Sequence, residues 1–482
     1  MHKSLALLGL LPLVSARQAS DLNITTDEAR THSCDAACES TYTNKTQPLD
    51  IAQFRREFDF DFYATAANFS GSKAGDLLKL APVDPDSLNS KAGTTVYRIQ
   101  YTSVDFDGSL VPVTGFVALP YARPLGSSSH YSHHVKSAGN ETGGGRGGNG
   151  TRALFRLAAW AHGTSGIYLG CAPSNGPTLY DPSAWQALVD QGYAVVGTDY
   201  AGIGNNYTTH KFLSFNVHAA DVYYSTVAAR KAFPQTFSKE WFSVGHSQGG
   251  GTVWKLAESD YVQGKDSGYV GTVAIAPATY IVDMMLGNWD SYPSPGFAAF
   301  LPESVRRVFP SYKGSSILTD LMQSRMALAE KAQMCVGAML GLSSDLKRHE
   351  IVSRERLRRH MPAYLEWQAR TAPALGARSS SPILVVQGKN DSTVLASTTS
   401  EAVERACKAG SEVHYSVYPG IDHSPIVSAS LFEWVRWIDA RFDAAQGLTN
   451  ASSRQHGANM KCSRTVLKPF DLANAKIPAE VM

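Results

Sequence analysis

The sequence predicts an α/β fold whose central sheet is mostly parallel and carries helices on both faces. Two observations favour this class. Short apolar runs alternate with helical stretches over much of the chain, and strands that are buried on both faces and followed by helices form parallel sheets with right-handed crossovers. In addition, the glycine-rich segment 245–251 joins one of these apolar runs to a helical stretch.

The first sixteen residues have the pattern of a signal peptide. A short basic start, His2-Lys3, precedes an apolar run over residues 5–14, and residues 14–16 form a small-residue cleavage pattern. The apolar run has about half of the ~20 residues that a membrane span needs, and no later segment approaches that length. We therefore expect residues 1–16 to be removed and the protein to be secreted, extracellular and without a transmembrane segment.

Residues 17–95 form a predicted N-terminal arm, and the first elements of the core follow it. Apolar and polar residues alternate over 96–106 and again over 111–119, and Asp107-Gly108 lies between the two runs. This arrangement predicts a β-hairpin. Residues 126–150 are rich in serine, histidine and glycine and have no apolar period, so we predict a solvated loop insertion there.

The alternating part of the core begins after this loop. Predicted strands cover residues 154–161, 193–198, 241–245 and 269–276, and predicted helices cover residues 185–191, 217–233 and 252–259. The alternation stops near Ala278 and resumes with a strand at 382–387, a helix at 398–408, a strand at 412–418 and a helix at 429–442. The core therefore divides into residues 96–279 and 375–445, and residues 446–482 form a C-terminal extension.

Residues 280–374 form a helix-rich segment without a convincing strand. Its position late in the sheet is typical of a cap over the carboxyl ends of the strands, where open α/β sheets bind their ligands. The segment contains six methionines, at positions 284, 285, 322, 326, 334 and 339. Each is more simply explained as ordinary core filling, but as a group above a site they would line a pliable apolar pocket.

The six cysteines are an even set, as expected for disulfides in an oxidising compartment. Cys34 and Cys38 have the spacing of half a zinc site, but no second pair or histidine-rich segment completes it. We predict three disulfides, listed here as pairs: Cys34 with Cys38, Cys171 with Cys335, and Cys407 with Cys462.

Eight Asn-x-Ser/Thr sequences support passage through a glycosylating secretory pathway. Seven are predicted acceptors: Asn23, Asn44, Asn68, Asn140, Asn149, Asn206 and Asn450. The eighth, Asn390, adjoins a candidate catalytic residue, and a glycan there would crowd the site.

The sequence lacks the motifs of several other classes of function. The net charge of +2 is uninformative, and no basic stripe with interleaved aromatic residues indicates a nucleic-acid partner. Gly202-Ile203-Gly204 lacks the third spaced glycine of a dinucleotide site, and no phosphate-binding lysine motif is present. We therefore expect neither a cofactor nor a metal.

The candidate nucleophile is Ser247, in the sequence Gly-His-Ser-Gln-Gly at residues 245–249. A Gly-x-Ser-x-Gly match alone is weak, but here a buried strand leads into it and a helix leads out, as a nucleophile elbow requires. A serine in this strained turn needs neighbours without side chains. Gly245 and Gly249 meet that need, and together these features predict the α/β-hydrolase fold.

A serine hydroxyl requires a base within hydrogen-bond reach and a carboxylate that orients the base. In this fold the chain order is serine, acid, histidine. Asp391 follows the strand at 382–387 and His423 follows the strand at 412–418, so both are predicted at the same edge of the sheet as Ser247. Asp422 competes for the role of acid, but a residue adjacent to the base rarely reaches its far ring nitrogen.

Negative charge that develops on the substrate's carbonyl oxygen requires fixed hydrogen-bond donors. The backbone N–H of Gln248 is one candidate for this oxyanion hole. The second is Gly163 or Thr164, in the loop after the strand at 154–161, and the sequence does not choose between them. His162 is then expected to orient the loop rather than to transfer protons.

Four segments of the sequence resemble the fungal secretory lipase (LIP) family of α/β-hydrolases: His162-Gly163-Thr164, Cys171-Ala172-Pro173-Ser174, Gly197-Thr198-Asp199-Tyr200 and the elbow at 245–251. The resemblance runs over about residues 96–442, and the glycine-rich insertion at 126–150 departs from it. It implies carboxylic ester hydrolysis without a metal or organic cofactor, with Ser247, Asp391 and His423 in the matching motifs. The substrates of the family range from long-chain triacylglycerols to acetylated secondary metabolites such as trichothecenes.

We therefore expect a secreted serine carboxylic ester hydrolase, a triacylglycerol lipase or esterase, that acts on a small-molecule or lipid ester. Transient contact of the cap with a lipid interface belongs to this expectation. The alternatives are a secondary-metabolite deacetylase of the trichothecene-esterase type or an acyltransferase with the same triad. From a different class, a catalytically silent binding protein on this fold is a further alternative, which labelling by a fluorophosphonate would distinguish.

Overall fold

A computed structural model describes residues 18–89, 93–122, 154–312, 316–447 and 461–469. The predicted signal peptide (1–16) and loop insertion (126–150) lie outside the described residues, as do the predicted acceptors Asn140, Asn149 and Asn450. Within the described residues, no helix is both long enough and apolar enough to cross a membrane.

The centre of the molecule is a sheet that contains ten strands within the described residues. The strands are β1 Leu77–Pro82, β2 Thr94–Val104, β3 Leu110–Pro120, β4 Phe155–Ala161, β5 Ala194–Thr198, β6 Phe237–His246, β7 Tyr269–Ile275, β8 Ile383–Gly388, β9 Val413–Tyr418 and β10 Cys462–Val466. Their spatial order is β1-β2-β3-β5-β4-β6-β7-β8-β9-β10. β1, β2 and β3 pair antiparallel, β3 pairs antiparallel with β5, and all pairs from β5 to β10 are parallel.

The described helices are α1 Thr26–Thr31, α2 Ala36–Thr41, α3 Gln47–Phe54, α4 Phe60–Tyr63, α5 Pro182–Asp190, α6 Phe215–Ala232, α7 Gln248–Glu258, α8 Leu301–Val308, α9 Asp320–Ala332, α10 Val336–Gly341, α11 Arg348–Ile351, α12 Arg354–Thr371, α13 Ala396–Lys408, α14 Pro425–Ala429 and α15 Leu431–Ala445. Apolar residues of α6, α7 and α13 pack with one face of the sheet, and those of α5, α14 and α15 pack with the other. This arrangement confirms the predicted fold class, a mostly parallel sheet covered on both faces.

The predicted hairpin is present, with β2 and β3 in register from Thr94 opposite Pro120 to Val104 opposite Leu110. In its turn, the Asp105 N–H donates to the Ser109 carbonyl at 2.8 Å. Every residue of β5 and of β8 is buried, as expected for parallel strands that have helices on both faces.

The sheet extends beyond the core segment that the sequence predicts. β1 lies within the predicted N-terminal arm, and β10 lies within the predicted C-terminal extension. Both are edge strands with little burial, and neither sequence, LLKLAP or CSRTV, alternates regularly between apolar and polar residues. β10 pairs parallel with β9, and the disulfide between Cys407 and Cys462 joins it to α13.

Between β7 and β8 the described chain forms the helices α8–α12 and the short helical turns Val282–Gly287 and Pro295–Phe300. These elements share an apolar core with residues of the N-terminal helices α1–α3. Met322, Met334 and Met339 are buried in this core, so they act as core filling, the simpler of the two interpretations of these methionines. Met284 and Met285 belong to the same core and also line a cavity beside Ser247.

The structure contains three disulfides, and they are the three predicted pairs. The bond between Cys171 and Cys335 joins positions 164 residues apart in sequence. Cys171 follows the loop after β4, and Cys335 immediately precedes α10. This disulfide therefore ties the cap to the segment that follows β4.

Candidate active site

Ser247 lies at the turn between β6 and α7, with φ +59° and ψ −118°. A non-glycine residue in this region of positive φ is strained and persists only where the surrounding structure fixes it. Here the Ser247 N–H donates to the Ile275 carbonyl at 2.9 Å, and the Ser247 carbonyl accepts from the Ala278 N–H at 3.0 Å. The strained turn is thus tied to β7 and to the residues that follow it.

The glycines on either side of Ser247 are required by close backbone approach. A Cβ atom at Gly245 would lie 2.2 Å from the Gly249 carbonyl oxygen, and one at Gly249 would lie 1.9 Å from the Ala161 carbonyl oxygen. Neither distance is possible without movement of the backbone. The strand, the turn and the helix therefore pack together only with glycine at both positions.

Ser247, His423 and Asp391 form a continuous chain of hydrogen bonds. His423 Nε2 lies 2.9 Å from Ser247 Oγ, and His423 Nδ1 lies 2.8 Å from Asp391 Oδ2. Asp391 follows β8 and His423 follows β9, so each is at the carboxyl end of a parallel strand. The structure thus brings together the three residues that the sequence nominated.

The Asp391 carboxylate is buried and held by several donors. Its Oδ1 accepts from the backbone N–H groups of Thr393 at 2.9 Å and Val394 at 2.7 Å. Its Oδ2 accepts from Gln387 Nε2 at 2.9 Å in addition to His423. These hydrogen bonds fix the orientation of the carboxylate. Gln387 lies in no recognised motif, so its contact with Asp391 was not predicted from the sequence.

Asp422, the competing candidate for the acid, has a different role in the structure. Its Oδ1 accepts from the backbone N–H of Ser392 and from that of His423, each at 2.8 Å. These bonds, the Ser392 N–H first among them, lower the pKa of Asp422. Asp422 therefore connects the loop after β8 to the loop after β9, while Asp391 contacts the imidazole ring.

The predicted oxyanion residues all lie beside Ser247. Gln248 is the first residue of α7, where backbone N–H groups lack partners within the helix. A Cβ atom at Gly163 would lie 3.6 Å from Ser247 Cβ, and Thr164 lines the cavities on both sides of Ser247. Thr164 Oγ1 donates to Gln248 Oε1 at 3.1 Å. Gly163 and Thr164 both lie next to the nucleophile, so either could provide the second hydrogen-bond donor of the oxyanion hole.

A buried stack of rings lies behind this loop. The Tyr200 ring lies 4.3 Å from the His162 ring and 4.4 Å from the His218 ring, and the His218 ring lies 5.0 Å from the His210 ring. Burial lowers the pKa of His162 to about 4, that of His210 to about 3, and that of His218 well below its ordinary value. All three imidazoles are therefore neutral at neutral pH.

This stack contacts both parts of the candidate oxyanion hole. His162 Nδ1 donates to the Gly163 carbonyl at 2.6 Å, and Gln248 Nε2 donates to His218 Nδ1 at 3.4 Å. The contact agrees with the predicted orienting role of His162. His218 was missed because its separation from Gln248 in sequence, 30 residues, hides the contact.

His246 is a third residue of the site that was not predicted from the sequence. Its Nε2 donates to the His423 carbonyl at 3.1 Å, and its ring lies 4.7 Å from the His423 ring. Its Nδ1 lies 3.9 Å from Asp181 Oδ2. Burial, followed by the nearby His423, lowers the pKa of His246 to about 3. In the sequence, only the position of His246 next to Ser247 indicates that it has a role at the site.

Two of the segments that carry the family resemblance, 171–174 and 197–200, are joined by hydrogen bonds. Asp199 Oδ1 accepts from the Ser174 N–H at 2.8 Å, and its Oδ2 accepts from Ser174 Oγ at 2.5 Å and from Thr114 Oγ1 at 2.7 Å. Burial raises the pKa of Asp199. This network joins β3, the end of β5 and the segment after Cys171.

Ser247 opens into a cavity of about 570 Å³ between the sheet and the cap. The cap contributes residues from the turn at 294–297, from α10 and from residues 343–346. Among the described residues, no group of three or more His, Cys, Asp or Glu side chains is arranged to hold a metal ion.

Residues 178–427 match the model of the Hydrolase_4 family, which is described as serine aminopeptidase, S33. This segment is more than half of the 482-residue chain. The chain belongs to the Hydrolase_4 family. The matched segment contains Ser247, Asp391 and His423, and membership of the family confirms that the protein is a hydrolase. Among curated proteins, no sequence is significantly similar to this chain.

Solved structures similar to this member of the Hydrolase_4 family have the same fold. Lipase A of Candida antarctica in its closed state is 17% identical over 80% of this chain and 86% of that chain, with a TM-score of 0.57. The rice cell wall degrading esterase LipA from Xanthomonas oryzae is 17% identical over 75% of this chain and 95% of that chain, with a TM-score of 0.56. At these identities the similarity establishes the α/β-hydrolase fold. The family match is broader than the predicted resemblance to fungal secretory lipases.

Proposed function

We propose that this protein is a secreted serine carboxylic ester hydrolase, a lipase or esterase, with Ser247 as nucleophile, His423 as general base and Asp391 as the carboxylate that orients His423. The observation that carries the proposal is the hydrogen-bonded chain from Ser247 Oγ to His423 Nε2 at 2.9 Å and from His423 Nδ1 to Asp391 Oδ2 at 2.8 Å. Base and nucleophile at this distance, with the base oriented by a third group, are what acyl transfer through a serine requires.

In the first step Ser247 Oγ attacks the ester carbonyl carbon while His423 Nε2 takes the hydroxyl proton. The tetrahedral intermediate then breaks its bond to the alcohol oxygen, and His423 donates the proton to that oxygen. Water attacks the acyl-enzyme, His423 accepts the proton from water, and the carboxylic acid leaves as Ser247 regains its proton. Throughout these steps the Asp391 carboxylate stabilises the imidazolium form of His423.

The negative charge of each tetrahedral intermediate is placed at the start of α7. Helix N-termini stabilise anions because their N–H groups are unpaired and aligned. In the proposal, the Gln248 N–H is one donor, and the second donor comes from Gly163 or Thr164. No step of this sequence requires a metal or an organic cofactor.

The family description raises peptide hydrolysis as a competing reaction, and the lining of the cavity favours esters. An aminopeptidase needs an acidic group for the ammonium of its substrate. The described residues that line the cavity at Ser247 include neither aspartate nor glutamate. The two similar structures are named as a lipase and an esterase, which supports the same choice, as do the motifs shared with fungal secretory lipases.

Secretion is part of the proposal and rests on the signal-peptide pattern at residues 1–16. Four of the predicted glycan acceptors lie within the described residues, and all four are exposed: Asn23, Asn44, Asn68 and Asn206. Their exposure is what glycosylation requires. The proposal also includes transient contact of the cap with a lipid interface when the substrate is a lipid.

Labelling with a fluorophosphonate tests the proposed nucleophile. The reagent phosphonylates a serine only where a base activates its hydroxyl. We expect covalent labelling of the secreted protein, and peptide mass spectrometry that locates the label on Ser247. Labelling of another residue, or no labelling of the folded protein, would contradict the proposal and favour a catalytically silent member of the fold.

A further inference from the structure

Two cavities of very different size meet at Ser247. The larger has a volume of about 570 Å³, and the smaller has a volume of about 20 Å³. Four residues line both cavities and form the boundary between them: Thr164, Ser247, Phe297 and Thr393. The Ser247 hydroxyl is therefore within reach of groups bound in either cavity.

The smaller cavity has apolar walls beyond the boundary residues. Its remaining lining residues are Phe212, Leu213, Ala278, Ile281, Met284, Met285 and Val394. All seven are buried, with at most 4% of their surface exposed, and all belong to the apolar core that the cap shares with the N-terminal helices. A space of about 20 Å³ accommodates little more than one water-sized group. A methyl group fits there, while a longer chain would require these walls to move.

His423 determines which side of the ester enters each cavity. The alcohol oxygen must lie within hydrogen-bond reach of His423 Nε2, because this atom donates the proton when the alcohol leaves. His423 lines the larger cavity, and it is not among the described residues that line the smaller one. The alcohol therefore lies in the larger cavity, and the acyl chain points into the smaller one.

The larger cavity is suited to an alcohol that carries hydroxyl groups. Four of its lining hydroxyls donate to protein carbonyls: Tyr180 to Thr164, Ser294 to Ser392, Ser343 to Leu340 and Ser344 to Gly341. Because each donor is already used, the oxygen lone pairs remain to accept hydrogen bonds from a ligand. A volume of about 570 Å³ is in the range that binds whole small molecules.

We propose that the substrate is an ester of a short acyl group, of acetyl size, with a bulky alcohol that bears hydroxyl groups. This inference rests on the ester hydrolase activity proposed above and narrows its substrate class. The small apolar cavity selects the acyl group, and the large hydroxyl-lined cavity beside His423 binds the alcohol.

The acyl part is tested with p-nitrophenyl esters from acetate to octanoate, each used in solution as monomers. The wild-type kcat/KM is expected to fall by about tenfold or more between acetate and hexanoate, because forcing extra methylenes into a packed site is unfavourable. A kcat/KM that rises toward octanoate would overturn the acyl assignment. This measurement needs no variant and so does not depend on how any variant folds.

Met285→Ala enlarges the small cavity by three heavy atoms and provides a second test. The ratio of kcat/KM for hexanoate to that for acetate is expected to rise by about tenfold relative to wild type. Met326→Ala is the matched control, since Met326 lines a separate cavity within the cap, and its ratio is expected to equal that of wild type. Equal ratios in the two variants would place the acyl chain elsewhere.

The alcohol part is tested with two acetates, 6-O-acetylglucose and ethyl acetate. The expected kcat/KM is at least about tenfold higher for the sugar ester, because its hydroxyls reach the free lone pairs of the larger cavity. An equal or lower value would overturn the alcohol assignment. Failure of the proposed function looks different, since then no ester is hydrolysed and the fluorophosphonate does not label Ser247.

Discussion

His246 donates a hydrogen bond from Nε2 to the backbone carbonyl of His423, and the two imidazole rings lie 4.7 Å apart. The residue that precedes the candidate nucleophile therefore supports the candidate base. Because the pKa of His246 is lowered to about 3, mainly by burial, its ring is neutral and adds no positive charge beside His423. His246 is a positioning residue in this arrangement, and it acts through His423.

Replacement of His246 by alanine is expected to lower kcat by about tenfold to a hundredfold while KM changes little, because one buried hydrogen bond and the ring contact are lost. The measurement is steady-state hydrolysis of p-nitrophenyl acetate. His414→Ala is the control, since His414 pairs with Glu412 and Ser463 away from the site. An unchanged kcat in folded His246→Ala would show that His423 is positioned without it.

Asp391→Asn is expected to reduce kcat on the order of a thousandfold or more, because an amide no longer holds His423 in the productive tautomer. The amide nitrogen would also face either the N–H groups of Thr393 and Val394 or the donor of Gln387, depending on which oxygen it replaces. Asp422→Asn is expected to cost less than about tenfold, since Asp422 joins loops and does not contact the ring. The reverse order of the two effects would identify Asp422 as the acid.

His210 makes the stability of the protein sensitive to acid. Burial lowers its pKa in the folded protein to about 3 from an ordinary value of 6.5. Between these pH values the unfolded chain binds a proton that the folded protein does not, so this group destabilises the fold as pH falls. His210→Phe removes the effect. As the pH is lowered from 6.5 to 4.5, the free energy of unfolding of the variant relative to that of wild type is expected to rise by up to about 1.4 kcal/mol for each pH unit.

The measurement for this prediction is urea denaturation of both proteins across the same pH series. The loss of the hydrogen bond from His210 Nδ1 to the Ala201 carbonyl lowers the stability of the variant by a constant amount. The test is therefore whether the difference in the free energy of unfolding between the two proteins changes with pH. A difference between the two proteins that does not vary with pH would mean that His210 is protonated in the folded state.

Removal of the disulfide between Cys171 and Cys335 by paired serine substitutions is expected to destabilise the protein by about 5 kcal/mol, because this bond closes a very long loop. Removal of the disulfide between Cys34 and Cys38, which are four residues apart, is the control and is expected to cost about 2 kcal/mol. Guanidinium denaturation of each variant measures the difference. Equal losses would show that the long-range bond does not constrain the unfolded chain.

The sequence predicts those parts of the fold and site that depend on local pattern. β5 and β8 are buried along their whole length, and each appears in the sequence as a mostly apolar run. Asp391 and His423 follow strands directly, so the rule that parallel strands end at one edge brings them to Ser247 without knowledge of any long-range contact. Gly245 and Gly249 are specified by the turn itself.

The parts that the sequence does not predict depend on contacts between distant segments or on weak edges. β1 and β10 are half-exposed edge strands, and their residues lack an apolar period. The contact of His218 with Gln248 depends on how α6 and α7 pack. The contact of Gln387 with Asp391 is local, but it depends on the conformation of the turn after β8, which no motif specifies. The size of the two cavities is set by the packing of cap side chains such as Met285, which no spacing rule specifies.

Hydrolysis of p-nitrophenyl acetate by Ser247→Ala tests the central claim most directly. Ser259→Ala, at the other end of α7, is the matched control and is expected to retain wild-type activity. For Ser247→Ala, we expect kcat to fall by a thousandfold or more, on the order seen when a triad nucleophile is removed, with an unchanged circular dichroism spectrum. A folded Ser247→Ala protein that retains most of the wild-type kcat would contradict the assignment of Ser247 as the nucleophile.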